Sequence, residues 1–240
     1  MDEYPLSLVT GAGHRLGRLF AITLAKNGYA VLLHYHHSAE AADITTNAIR
    51  ALGVPVYPVR ADLTDSAQIH SLFTILDTFN LRLKVLVNSA AGMRRSDLRT
   101  ISENEWDMTL NLNLRVPLLM AQCAAERMTD GGIIINITDA GARKAWTGFP
   151  DYLVSKAGLE VLTRLLAKTY APNIRVNAIA PGLVLPSSNI SKDEWKEMVN
   201  HLPLKHPVSQ DDIAIALEYL LKNESVTGQT IVIDGGYSLI

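Results

Sequence analysis

Leu6-Ser7-Leu8-Val9-Thr10-Gly11-Ala12-Gly13-His14-Arg15-Leu16-Gly17 decides how this chain of 240 residues is folded. The run Leu6–Thr10 is short, apolar and β-rich, which reads as a buried strand, and the glycines behind it end that strand in a tight turn. From Leu16 to Asn27 apolar residues return at helical spacing, so the segment reads strand, glycine turn, helix. The same alternation continues along the chain. Further strand-like runs lie at Ala30–His34, Val54–Arg60, Val85–Asn88, Gly132–Ile137, Arg175–Ala180 and Thr230–Ile233, each bounded by Gly, Pro, Asn or Asp. Helical spacing occupies Ala39–Leu52, Ala67–Phe79, Leu112–Met128, Tyr152–Tyr170 and Gln210–Leu221. Strands that are apolar throughout and joined by helical crossovers predict an α/β fold: a doubly wound, seven-stranded parallel sheet covered on both faces. A single domain, residues 1–240, accounts for the chain. Pro186–Pro207 interrupts the alternation with Ser187, Ser188, Asn189 and a short helix-like Lys192–His201, and residues 186–207 read as a substrate-lid insertion.

With 48% hydrophobic and 19% charged residues the chain has the composition of a packed globule. A net charge of -2, with acids and bases dispersed, gives no reason to expect nucleic acid or an anionic membrane as partner, so a small molecule fits better. The opening Met1-Asp2-Glu3-Tyr4-Pro5 carries acids where a secretory signal carries bases, and no apolar run approaches the roughly 20 residues of a membrane span. A cytoplasmic location is expected. The single cysteine, Cys123, sits in the apolar stretch Leu118–Ala125 and reads as a core thiol. The histidines have no metal-ligand spacing with acids or cysteine, so no metal site is expected.

Gly11, Gly13 and Gly17 stand where a strand hands over to a helix, the place where backbone approaches a pyrophosphate at a helix N-terminus; a tight turn alone would use the same glycines. A site for NAD usually ends its second strand in Asp or Glu, which accepts both ribose hydroxyls and repels a 2′-phosphate. Here that strand ends in His34-Tyr35-His36-His37-Ser38, no carboxylate appears before Glu40, and Arg15 supplies a cation in the glycine turn. The pattern points to NADP(H). Were the histidines only solvated strand-end residues, Arg15 would remain the sole argument.

Tyr152 and Lys156 lie four residues apart on one predicted helix, roughly 40° apart about its axis, so phenol and ammonium project from one face. A nearby cation stabilises a phenolate and brings a pKa near 10 closer to neutrality, as acid–base work requires. Tyr-x-x-x-Lys is common enough by chance that context must carry it. The context is a dinucleotide-type turn upstream, a fifth strand about 15 residues before the pair, and Asn113 on an intervening helix, where it can anchor a proton-relay water.

Together Thr10-Gly11 with Gly17, Asp62-Leu63, Asn88-x-Ala90, Asn113, Tyr152-x-x-x-Lys156, Asn177, Pro181-Gly182 and Asp234-Gly235-Gly236 resemble the short-chain dehydrogenase/reductase family over nearly the whole chain. The resemblance implies a Rossmann-type sheet, hydride transfer from a nicotinamide, Tyr152 as proton donor, Lys156 as ribose anchor and tyrosine activator, and Asn113 in the relay. It also implies Asp62 and Leu63 beside the adenine, with Gly11, Gly13, Arg15, Leu16, Gly17, Asn88, Ala90, Pro181 and Gly182 along the cofactor, and a homotetramer.

Most members carry a serine thirteen residues before the tyrosine. Here that position is Asp139. A carboxyl can pair with ring N–H and amino groups, or deliver a proton to a ring nitrogen, which a hydroxyl does less well. The aspartate, Arg15 in the turn and His34-Tyr35-His36-x-Ser38 resemble the pteridine reductase and dihydromonapterin or dihydrofolate reductase branch, as does Pro117 four residues after Asn113. Met93 stands where that branch commonly stacks an aromatic residue on the pterin, so Asp139, Met93 and Tyr152 are the substrate candidates; Trp146 and Phe149 read as loop-packing residues. Three functions follow: an NADPH-dependent reductase of a pterin-like heterocycle, a carbonyl reductase of the 3-oxoacyl thioester or small-ketone type, and a non-catalytic NADP(H)-binding sensor in which Asp139 merely caps a turn.

Overall fold

The computed structural model describes residues 4–79, 81–186 and 190–240. Its strands are β1 (Leu6–Val9), β2 (Ala30–Tyr35), β3 (Val56–Arg60), β4 (Leu83–Asn88), β5 (Gly132–Ile137), β6 (Ile174–Pro181) and β7 (Thr230–Ile233). They pair in parallel, in the order β3-β2-β1-β4-β5-β6-β7. Strand alternation sends Leu8, Leu32, Leu86, Ile134 and Val176 to one face of the sheet, against α3 (Ser66–Asp77), α5 (Val116–Ala125) and α6 (Pro150–Tyr170). Val9, Val31, Leu33, Val87 and Ile135 fill the other face, against α1 (Arg15–Lys26), α2 (Ala39–Arg50) and α8 (Gln210–Lys222). Because both faces are covered, the central strands β1, β2, β4, β5 and β6 are almost wholly buried, and each fully buried Leu, Ile or Val contributes about 1.5–3 kcal/mol.

The strand order reverses between β1 and β4, which opens a crevice beyond their carboxyl ends. Thr10 fixes the crevice floor: its Oγ1 accepts from the Ser89 and Ala90 amides at 2.9 and 3.0 Å. Gly11 turns there with φ +65°, and a Cβ on it would stand 3.0 Å from the Ala90 Cα. A Cβ on Gly17 would come within 2.1 Å of the Gly11 carbonyl, so only glycine lets α1 press onto the turn. Beneath the sheet's chemical half, Asn88 donates to Asn136 and Asn136 to Thr163, both at 2.9 Å, linking β4, β5 and α6 through buried side chains.

The helix expected at Leu112–Met128 begins in a widened turn and ends at Ala125, and a separate, unexpected helix precedes it. α4 (Glu103–Leu110) starts at a reciprocal Ser102–Glu105 capping box, a π-helical turn spans Asn111–Arg115, and α5 follows. Pro117 has no N–H to give the Asn113 carbonyl four residues back, so the α-helical ladder breaks at that residue. In the expected lid, α7 (Lys192–His201) forms behind its own Ser191–Glu194 capping box. Ser187, Ser188 and Asn189 lie outside the described residues.

Candidate active site

Asp139 leaves the end of β5 and Tyr152 and Lys156 lie in the first turns of α6, so strand and helix meet with three ionisable groups between them. The Tyr152 hydroxyl donates to Asp139 Oδ2 at 2.7 Å, and the Gly141 amide donates to Oδ1 at 2.7 Å. Lys156 Nζ donates to the Ile137 carbonyl at 2.7 Å and stands 5.8 Å from the centre of the Tyr152 ring. Burial pushes the Asp139 carboxyl up, against the pull of the Tyr152 hydroxyl, the Gly141 amide and Lys156. Tyr152 is held well above 10, first by burial and then by the negative charge of Asp139. Burial brings Lys156 down to about 8, while Asp139 acts to raise it.

This corrects one expectation. Burial and the negative charge of Asp139 both hold the phenol up, opposite to the effect expected of Lys156. Tyr152 is therefore a retained proton, hydrogen-bonded to a carboxyl that itself tends to hold one.

Asn113 is fully buried and its amide is engaged at both ends. Oδ1 accepts from the Gly92 amide at 2.9 Å, and Nδ2 donates to the Gly92 carbonyl at 2.8 Å and to Ser155 Oγ at 3.1 Å. Ser155 in turn donates to the Tyr152 carbonyl at 2.6 Å. The side chain thus ties the loop after β4 to the helix of Tyr152. Asp151 does a similar job, accepting from Ser96 at 2.8 Å and Thr109 at 2.6 Å, bonds that keep its carboxyl low against the effect of burial.

At the nucleotide end, α1 starts with no capping side chain and no acid in its first turn, whereas α4, α7 and α8 each carry a capping box and first-turn acids. A phosphate suits that bare helix end: it would meet unsatisfied amides and the positive end of the dipole. Gly13 is buried in the turn, Leu16 packs on the core of α1 and α2, and Ala90 is held by Thr10. Pro181 closes β6, and the Gly182 amide donates to the Ile233 carbonyl at 2.9 Å, so backbone lines the far side of the crevice.

Several predicted contacts are placed differently. His34 is 2% exposed; its Nδ1 accepts from the Gly11 amide at 3.2 Å and its Nε2 faces the Ala61 carbonyl at 3.0 Å, which makes it a neutral brace inside the fold. Burial takes its pKa down to about 4. Tyr35 packs on the core, and Leu63 is buried under α3. His36, His37 and Ser38 remain at the open end of β2, the His36 and His37 rings 3.6 Å apart. Asp62 holds Thr64 through its amide and hydroxyl at 2.9 and 2.7 Å, which keeps the carboxyl low, with His36 3.9 Å away.

Arg15 differs most. It opens α1 with φ +51°, and its guanidinium donates to the Pro186 and Leu185 carbonyls at 2.9 and 3.0 Å, beyond β6.

Around the reacting groups, Met93 is half-exposed on the loop after β4. Trp146 packs directly over Gly141, where an added Cβ would meet its ring at 2.5 Å, and its ring lies 6.1 Å from Phe149 and 5.6 Å from Tyr237. Tyr237 comes from the chain end and feels the charge of Asp139; burial is the main cause that takes its phenol up to about 12. No local pattern marked Tyr237 as a site residue. An open groove of about 800 Å³ between α3, α5 and the end of α6 lies toward the amino ends of β5 and β6 and shares none of these residues. Among the described residues no group of three His, Cys, Asp or Glu is placed to hold a metal, and no helix is long and apolar enough to cross a membrane.

A family model described as Enoyl-(Acyl carrier protein) reductase matches residues 11–238. The 3-oxoacyl-[acyl-carrier-protein] reductase FabG of Staphylococcus aureus is 33% identical over 237 residues, covering 96% of each chain. The 1-cyclohexenylcarbonyl-CoA reductase of Streptomyces collinus is 29% identical, over 100% of this chain and 89% of its own. Among solved structures, FolM alternative dihydrofolate reductase 1 from Brucella suis, in complex with NADP, superposes with a TM-score of 0.93 at 30% identity, over 100% of this chain and 97% of that one.

Proposed function

We propose, from the premise that the chain belongs to the short-chain dehydrogenase/reductase family of oxidoreductases, that it is an NADPH-dependent reductase of a pterin-like nitrogen heterocycle. The cofactor reading is supported by the uncapped start of α1, the carboxylate-free end of β2, and the NADP bound to the FolM structure. The substrate reading rests on one observation: the 2.7 Å hydrogen bond from Tyr152 to Asp139 Oδ2.

When bound, NADPH supplies the hydride. The chain's own task is the proton and the orientation. Reduction of a ring C=N needs one proton on nitrogen, and Tyr152, kept protonated by burial, is the donor. Loss of that proton leaves a phenolate. Asp139, whose carboxyl burial pushes toward the neutral acid, passes its own proton to the phenolate oxygen and becomes the carboxylate. As a carboxylate it can instead accept from an amino group and a ring N–H side by side. Lys156, fixed on the Ile137 carbonyl, supplies the positive charge of the cluster and anchors the ribose. Trp146 and Tyr237, whose rings lie 5.6 Å apart beside the Asp139 loop, are on this reading the aromatic surface that stands in for the one missing at Met93.

The similarity to FabG favours a second reading, reduction of a 3-oxoacyl thioester, in which Tyr152 protonates a carbonyl oxygen and Asp139 only occupies the serine position. Steady-state rates with dihydrobiopterin, dihydromonapterin, dihydrofolate and an acetoacetyl thioester, each with NADPH and NADH, separate them. Turnover confined to the thioester refutes the heterocycle reading; nucleotide binding without turnover of any of them leaves the sensor.

Assembly as a homotetramer fits Val154, Val161 and Leu165, a half-exposed apolar stripe at helical spacing on α6, with half-exposed Met108 on the adjoining α4.

A further inference from the structure

We infer that Arg60, and not Arg15, is the cation that recognises the cofactor's 2′-phosphate; the inference rests on the NADP(H) reading above. Arg60 ends β3 and pairs in register with Tyr35 at the carboxyl end of β2, the position from which a Rossmann-type site contacts the adenosine ribose. Its Nε donates to the His36 carbonyl at 3.2 Å, which seats the guanidinium beside the loop His36-His37-Ser38. Among the described residues, its two terminal amino groups have no hydrogen-bond partner or ion pair, and the side chain is exposed. Those groups form the planar fork that suits a phosphate dianion.

The local charges make the assignment sharper. Residues 34–40 and 60–62 hold three fixed charges: Glu40, Asp62 and Arg60. Asp62 Oδ1 is taken up by Thr64, and Oδ2 faces His36. Without Arg60 the fixed charges of this corner are both negative, which would repel a 2′-phosphate and favour the ribose hydroxyls. With Arg60 present, the two neighbouring imidazoles have a permanent cation beside them. Arg15 is committed elsewhere. Its guanidinium donates to the Pro186 and Leu185 carbonyls, which follow β6 in the chain. It acts as a tie between the nucleotide turn and the start of the lid.

The test is calorimetric binding of adenosine 2′,5′-bisphosphate and of 5′-AMP to the wild-type protein and to Arg60→Gln, Arg60→Lys and Arg15→Gln. Arg60→Gln is expected to weaken the bisphosphate roughly tenfold or more and to leave 5′-AMP within about twofold. Arg60→Lys should keep part of the preference, since it retains charge and loses the fork. Arg15→Gln should leave the ratio of the two affinities unchanged. An unchanged ratio in Arg60→Gln, or a ratio that collapses in Arg15→Gln, overturns the inference. A wild-type protein that binds both nucleotides equally overturns the NADP(H) reading itself, a result distinct from misplacing the cation.

Discussion

Asp139→Asn keeps the shape of the side chain and removes its charge, so it isolates what the carboxyl does to Tyr152. Two causes hold that phenol well above 10, burial first and Asp139 second, and the substitution removes only the second. The phenol is therefore expected to titrate lower in the variant than in the wild type, with burial still acting on it. Lys156 should move as well, falling below about 8, because Asp139 is the group that raises it against burial. Ultraviolet difference titration of Asp139→Asn against Asp139→Asn/Tyr152→Phe isolates this one phenol among eight tyrosines, with the wild type and Tyr152→Phe as the reference pair. In parallel, turnover of a dihydropterin should fall by about 10²–10⁴, the usual worth of a positioned acid, while reduction of a thioester ketone falls much less. A phenol that does not move, with dihydropterin turnover retained, would refute the reasoning.

Other outcomes follow from the same geometry. Tyr152→Phe should abolish turnover and leave NADPH affinity within a few-fold, read by fluorescence titration; retained activity would remove Tyr152 from the proton path. Burial lowers Lys156 from 10.5 to about 8, so between those values the unfolded chain binds more protons than the folded one and stability rises with pH. Urea titrations at pH values near 7.5 and 9.5 should show that rise in the wild type and its loss in Lys156→Met. His34 is lowered from 6.5 to about 4, so stability falls as pH falls across that window, by about 3 kcal/mol in full. His34→Gln should flatten this acid slope in chemical denaturation; an unchanged slope would mean the imidazole takes up its proton without disturbing Gly11 and Ala61.

The parts of the fold that local sequence controls were legible. β1, its glycine turn and α1 stand where the first twelve quoted residues place them, give or take a residue, and Lys192–His201 is a helix with the expected ends. The separate helix at Glu103–Leu110 was not read, because its apolar residues are few and its signal is the Ser102–Glu105 cap. Tyr152, Lys156 and Asp139 could be grouped because strand and helix periods fix where each emerges. The direction of the tyrosine's pKa shift could not, since it depends on which neighbour lies at 2.7 Å and how little water reaches the pair. His34 and Arg15 show the same limit from another side. Composition places a histidine or arginine near a nucleotide, but burial by β3 and a left-handed φ at residue 15 decide where the side chain ends. Tyr237 reaches the site from the last turn of the chain, a contact across nearly a hundred residues that no periodicity encodes.

The bare start of α1 ties the molecule's lifetime to its metabolic surroundings. Three other helices of the fold close their own amino ends with serine and an acid, and α1 leaves that closure to an anion brought from outside. A nucleotide at a hundred times its dissociation constant adds about 2.7 kcal/mol to the folded state. Amide protons in the first turn of α1 should then exchange slowly in nucleotide and rapidly without it, and proteolytic survival should follow the nucleotide pool. A cell that drains its pool of the dinucleotide, oxidised and reduced together, would by that act also shorten the persistence of the enzyme that uses it.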